Sequence, residues 1–425
     1  MNRKQAPAIT DAVDYTLQLK PYRFFRLDNG IEVYAVHAGA QEVIQFEWVF
    51  SAGSCYESKQ AVASTANYML KNGTRSKSAF QLDEAFEFYG GYCNRSCFTE
   101  TSLISLHTLT RHVDRLLPLV REMISESVIP ESELSIYKQN AAQRLKVNLQ
   151  KCDFVAGRMI DHYVYGSKHP SGRYTTLDDI EALQREDIMA FYQSFYQQGH
   201  CRIFVSGYLP ANLEQTLNAL FGDLPLRQEA PVYPTIVRRM ASEKKHRIIN
   251  DPSSVQGAIR MAIPFPDRTD PDFKKAQVLN ILFGGYFGSR LMSNIREDKG
   301  YTYGIYSYIQ NQLRDTAWII STEAGKDVCE DTIKEVYHEM KLLCEQRIAD
   351  DELSLVRNYM IGTTLSEMDG PFSIMAKWKN IILKGLDERY FYDTIDTVKH
   401  VSADELQAVA RRFFKPAEFY ELVVY

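Results

Sequence analysis

The chain has 425 residues, 45% of them hydrophobic and 24% charged, with a formal net charge of -5 at neutral pH. That length accommodates two or more domains with packed cores, and the composition is globular rather than disordered or fibrous. The mild acidic balance gives no sign of a nucleic-acid or anionic-membrane partner.

In chain order, the first 20 residues lack the apolar h-region of a secretory signal. Residues 24–27, the turn Asp28-Asn29-Gly30 and residues 31–36 predict a hairpin, because Asn-Gly suits a tight turn. Residues 43–50 alternate like a strand. Helices are predicted over 61–71 and 82–89, the second stopped by Gly90-Gly91. Residues 93–106 are rich in Ser and Thr with a period of two, and predict one strand. Long helices follow over 113–125 and 131–150. Strands in runs and helices in blocks imply an α+β fold with antiparallel sheet rather than βαβ units. Residues 224–243 contain Pro225, Pro231, Pro234 and several charges, and predict a linker. No run of 18 apolar residues suggests a membrane span.

The sequence repeats itself once. Ile129-Pro130-Glu131-Ser132-Glu133-Leu134 parallels Ile348-Ala349-Asp350-Asp351-Glu352-Leu353, about 220 residues later. Arg185-Glu186-Asp187-Ile188, then Phe195-Tyr196, then a strand at 203–205, parallels Ala403-Asp404-Glu405-Leu406, Phe413-Phe414 and 422–424 at nearly the same offset. A period this long means domain duplication, not a solenoid. The expected organisation is a first domain over 1–223, a linker over 224–243 and a second domain over 244–425.

The most specific stretch is Gly284-Gly285-Tyr286-Phe287-Gly288-Ser289-Arg290-Leu291, followed by Arg296 and, seven residues on, Tyr303. It resembles the signature of the C-terminal half of M16 metallopeptidases, the pitrilysin and mitochondrial processing peptidase family. Two further blocks resemble that family: Met69-Leu70-Lys71-Asn72-Gly73-Thr74 and His169-Pro170-Ser171-Gly172-Arg173. The resemblance implies two homologous domains of the LuxS/MPP-like type, each an antiparallel sheet packed by helices, facing one another across a cleft.

The family's zinc motif, His-x-x-Glu-His, lies on the first helix, where two His four residues apart share a face and the Glu is the general base. Counting back from Gly73-Thr74, its two His positions are Ser64 and Tyr68, and its Glu position is Asn67. Ser and Tyr are poor zinc ligands beside imidazole, and Asn takes no proton from water at neutral pH. The third ligand, a Glu by resemblance, falls near residues 144–147, yet no Asp or Glu occurs from Leu134 through Cys152. Substitutes are wanting: His107 and His112 are five apart, a loop is expected between His162 and His169, and His338-Glu339 is followed by Leu342 where a second His is needed. Seven scattered cysteines without a Cys-x-x-Cys pair suit reduced thiols in a cytoplasm-like compartment. No P-loop and no Gly-x-Ser-x-Gly elbow is present.

Arg296 and Tyr303 have a direct rationale, since peptide hydrolysis builds negative charge on the carbonyl oxygen and cationic and phenolic donors stabilise it. By resemblance, these two residues point toward a zinc held by the other half, which in small bacterial members comes from a second chain. Asn94, after Gly90-Gly91, matches the family's strand edge on which a peptide adds as a further strand. Gly284 and Gly285 allow close backbone approach to a substrate. Tyr301, Tyr306 and Tyr308 are candidates to line a peptide groove. The expectation is a zinc-less subunit that binds no cofactor itself, with zinc on a partner M16 chain bearing His-x-x-Glu-His and peptide as the substrate. The alternative is an M16-fold scaffold or peptide-binding protein with no role in proteolysis.

Overall fold

Asn29 anchors the first turn by donating to the carbonyls of Phe221 and Leu224 at 2.8 and 2.9 Å, while Gly30 takes φ +84°. The computed structural model describes residues 11–425 apart from 235 and 237. Residues 1–10 of the expected first domain, and those two positions of the expected linker, lie outside the described residues.

The first half runs β1 (Arg23–Arg26), β2 (Glu32–His37), β3 (Val43–Phe50), α1 (Val62–Met69), α2 (Ala79–Phe88), β4 (Tyr92–Cys97), β5 (Ser102–Leu109), α3 (Val113–Glu126), α4 (Glu131–Leu149), α5 (Cys152–Tyr165), α6 (Leu177–Glu181), α7 (Arg185–Tyr192), β6 (Cys201–Gly207) and α8 (Leu213–Phe221). The second runs β7 (Lys245–Ile248), β8 (Gln256–Pro264), α9 (Phe273–Asn280), β9 (Thr302–Asn311), β10 (Thr316–Gly325), α10 (Cys329–Glu345), α11 (Asp350–Glu367), α12 (Pro371–Leu383), α13 (Glu388–His400), α14 (Ala403–Phe413) and β11 (Tyr420–Val424). Local chemistry sets several ends. Ser78 and Gln81 form a reciprocal capping box that starts α2, and Gly90 at φ +64° stops it.

The single strand expected over 93–106 is two strands. β4 and β5 pair antiparallel, and the chain folds back between them where the Phe98 amide donates to Thr101 at 2.8 Å. The turn Phe98-Thr99-Glu100-Thr101 has no Gly, Pro or Asn, and the period of two continues on both sides, so the pattern hides the break.

The first sheet has the order β1-β2-β6-β3-β5-β4 and the second β7-β11-β8-β10-β9. Set aside β1, and the two orders correspond strand for strand, as a duplication requires. The sheets are not wholly antiparallel: β2 pairs parallel with β6, and β7 with β11. In each half the last strand returns from a helical block to lie beside the first, a crossover that parallel pairing demands. β4 and β9 are the free edges in equivalent places.

Each sheet packs one face on helices of its own half. The other face is covered by a helix lent from the opposite half. Val155, Ala156, Ile160, Val164 and Tyr165 of α5 bury against Ala258, Ala262, Ile319, Tyr420 and Leu422 of the second sheet. Reciprocally, Ile374, Met375, Trp378 and Ile381 of α12 bury against Tyr34, Val36, Val49 and Phe204 of the first. Trp378 Nε1 also donates to the Lys20 carbonyl at 2.7 Å, and Lys379 pairs with the buried Glu47 at 2.6 Å. Each such large side chain contributes on the order of 1.5–3 kcal/mol by leaving water.

The His169 to Arg173 loop joins the halves a second way. Arg173 donates to Ser54 and reaches Glu57 at 3.0 Å within the first half. Ser171 Oγ donates to Gln312 at 3.0 Å, and His169 Nε2 lies 3.4 Å from Asp315, both on the β9–β10 turn of the second half. Arg238, in the connecting segment, reaches the same Asp315 oxygen at 2.9 Å. Among the described residues, no helix is long and apolar enough to cross a membrane.

Candidate functional site

The helix that would carry a zinc motif is built with care. Its N-cap, Ala61, sits in left-handed backbone at φ 69°, and the buried Glu57 carboxylate accepts the Ala63 amide at 2.9 Å. Arg173 holds Glu57 from the other side. Burial pushes the Glu57 carboxyl above its usual range, against the opposing pull of the Ala63 amide and Arg173. Ser64 and Tyr68 point outward on one face, and Asn67 is buried, as the spacing on a helix requires.

The donors present do not fit a metal. Ser64 Oγ donates to its own helix, to Ala61 O at 3.1 Å. Asn67 Nδ2 is committed to the Tyr196 hydroxyl at 3.1 Å and the Leu103 carbonyl at 3.4 Å. The Tyr68 ring packs on Tyr137 of α4 with centroids 4.8 Å apart. Arg95, on β4, donates to the Tyr68 carbonyl and lies 5.3 Å from the Tyr68 ring centre. A guanidinium beside that face repels a dication. On α4, Arg144, Lys146 and Val147 are exposed and none is a carboxylate. Among the described residues, no group of three His, Cys, Asp or Glu side chains is arranged to hold a metal.

Sequence reasoning missed Arg95. Its signal was there: on β4 it shares a face with Cys93 and Cys97, so the alternation turns a charge toward α1. Burial pulls its pKa down, the mark of a cation away from water. Asn94 next to it is exposed on the free edge.

In the second half, the glycine-rich block is mostly a packing device. Gly284 is buried, and a Cβ there would lie 2.7 Å from the Ser307 Cβ on β9. Gly285 is half-buried, and a Cβ there would meet only the tip of Ile281 in the same turn, at 2.7 Å, so Gly284 is the position that requires glycine. Close approach is needed here between a helical turn and its own strand. Ser307 in turn donates to Asn280 and accepts from Trp318 Nε1, each at 2.7 Å. Arg290 makes a bidentate pair with Glu352 at 2.7 and 2.8 Å, and Asn294 donates to Glu335 and Glu339.

That scaffold displays Arg296 and Tyr303 together. Arg296 sits in the π-helical turn Met292–Asp298 and its Nε donates to the Tyr303 carbonyl at 3.0 Å. Its guanidinium lies 4.6 Å from the Phe287 ring centre and 3.5 Å from Glu297. Tyr303 begins the edge strand β9 and is 94% exposed, so its side chain stands in solvent. Tyr306 and Tyr308 follow on the strand, both exposed, whereas Tyr301 is half-buried. The direct partners of Arg296 all belong to the second half, while Ser64, Asn67, Tyr68 and Asn94 gather in the first. An exposed phenol and a guanidinium anchored on the same residue's backbone can each donate to an oxyanion or to a peptide carbonyl.

Residues 182–360 match the family described as Peptidase M16 inactive domain. The uncharacterised zinc protease YmxG of Bacillus subtilis is 22% identical over 91% of this chain and 92% of its own length. A Helicobacter pylori relative described as a non-peptidase homolog is 19% identical over 80% of this chain and 78% of its own. The crystal structure of a peptidase M16 inactive domain from Pseudomonas fluorescens superposes with a TM-score of 0.85 at 21% identity, covering 95% of this chain and 98% of that one. A protease structure from Helicobacter pylori gives 0.86 at 17% identity, covering 96% and 100%. The inactive-domain match over 182–360, the relatives along most of its length and the shared fold make the chain similar to peptidase M16 proteins.

Proposed function

We propose that this chain is the zinc-less subunit of a heterodimeric M16 metallopeptidase. The observation that carries the reading is the Arg296–Tyr303 contact: a guanidinium anchored on the Tyr303 carbonyl, with the Tyr303 side chain exposed on an edge strand, in a chain whose own α1 has no ligand set. A partner M16 chain bearing His-x-x-Glu-His supplies zinc and the general base. As water adds to the scissile carbonyl, negative charge grows on its oxygen, and Arg296 and Tyr303 donate to it. The β4 edge at Asn94 pairs with the peptide backbone as an added strand. Gly284 lets the preceding turn, Ile281–Gly285, sit close to β9. The chain alone hydrolyses nothing.

The test is peptide hydrolysis by this chain, by its zinc-bearing partner and by the two mixed. Activity only in the mixture, lowered at least about tenfold by Arg296→Ala or Tyr303→Phe, is the expected result. No gain on mixing, or indifference to both substitutions, favours the second reading, a scaffold or peptide-binding protein. The inactive-domain match and the non-peptidase name of the Helicobacter relative favour that alternative.

A further inference from the structure

The β4–β5 turn of the first half meets the β9–β10 turn of the second, and with α12 they line an open cavity of about 530 Å³. That is within the range of small-ligand sites. Glu100, in the first turn, lines this cavity and a smaller one adjoining it. It is only 6% exposed, and no described protein group pairs with its Oε1. A buried carboxylate oxygen without a partner is costly and calls for an explanation. Burial, and then the nearby Asp315, push its carboxyl up from the usual range.

Lys384 lines the same cavity just beyond the end of α12. Its polar contact is the Asn311 carbonyl at 3.4 Å, and its pKa is pushed down to about 8 by burial and by the neighbouring Arg268, against the opposing charge of Glu100. Lys379, also on the wall, is already spent on Glu47. One cavity thus holds a carboxylate whose Oε1 has no partner, beside the Arg314 backbone, and an ammonium whose polar contact is a backbone carbonyl rather than a carboxylate. Phe98, Leu313 and Leu383 supply apolar wall between polar ends.

We propose that this cavity binds a short zwitterionic ligand, a peptide of a few residues with both ends free, its ammonium on Glu100 and its carboxylate on Lys384. Such a ligand restores a partner to each charge at once, whereas a ligand with one charge leaves the other stranded. The site is independent of the Arg296–Tyr303 reading. Tyr303 and Asn311 stand at opposite ends of β9, roughly 25 Å apart at strand rise.

Calorimetric titration of the intact chain, without partner or zinc, tests it with trialanine, N-acetyl-trialanine and trialanine amide. Trialanine should bind, and blocking either end should weaken binding at least about tenfold, as expected for a lost charge-assisted hydrogen bond. Glu100→Gln should remove the sensitivity to acetylation, and Lys384→Met the sensitivity to amidation. Thr99→Trp, which fills the cavity and keeps both charges, should abolish binding and guards against misfolding of the charge variants. No binding of trialanine at millimolar concentration, equal binding of the blocked peptides, or indifference to all three substitutions overturns the proposal. None of those results bears on hydrolysis by the mixed subunits, so the two readings fail separately.

Discussion

Asn67 serves packing rather than display, buried on the inner face of α1. Its amide serves the Tyr196 hydroxyl, and Tyr196 is fully buried. Asn67→Ala should therefore cost about 1–3 kcal/mol, the penalty of stranding a buried polar group, read from urea denaturation. The sequence places Ser64, Asn67 and Tyr68 where the resemblance expects the ligands and the base. Arg95 was legible only through its alternation with Cys93 and Cys97, a weaker signal than a motif. Arg95 also decides a stronger prediction. The triple change Ser64→His, Asn67→Glu, Tyr68→His should still leave zinc well below one per chain by metal analysis. α4 offers no third carboxylate near residues 144–147, and the Arg95 guanidinium stays beside the face.

At the scale of elements, the hairpin, the capped helices and the duplication were all readable, because each has a local signal: Asn29-Gly30, Gly90, and two repeats at one offset. The parallel pairs β2–β6 and β7–β11 were not, since nothing within a strand names its neighbour. The β4–β5 turn was hidden by ordinary residues in an unbroken period of two. The glycine block was legible as a motif, but its packing role appears only where the helical turn meets β9. Gly284→Ala should destabilise the chain by about 1–3 kcal/mol, the usual range for overpacking. The reason is that Ser307, which it would strike, is fixed by Asn280 and Trp318. Chemical denaturation reads this directly, and a neutral result would mean that the turn and β9 can part freely.

Across the whole molecule, the halves meet at a buried acid. Burial alone would raise the Asp315 carboxyl, but hydrogen bonds from His169 and Arg238 outweigh it and hold it below the ordinary carboxylate range. A group whose folded value is depressed favours the fold when ionised. Its contribution is complete above the unfolded value, about 4, and is lost as pH falls through the folded value. Wild type should accordingly be more stable than Asp315→Asn at pH 6, and the gap should close as pH drops below about 4. Denaturant midpoints at a series of pH values measure it, and a gap that persists at pH 2 would remove Asp315 from the account. The loop bearing His169 was visible as a motif, but its partner lies 146 positions along the chain, beyond any local pattern.

The exchange of α5 and α12 has a consequence for how the polypeptide can be divided. Among the described residues a cut within 224–243 severs no strand and no helix, yet the two fragments stay clasped, because each holds a piece of the other's wall. Made separately, each fragment would present a bare apolar sheet to water and should aggregate; made together, they should reconstitute one particle. In its wiring, the protein is a pair of complementary fragments that happen to share a tether.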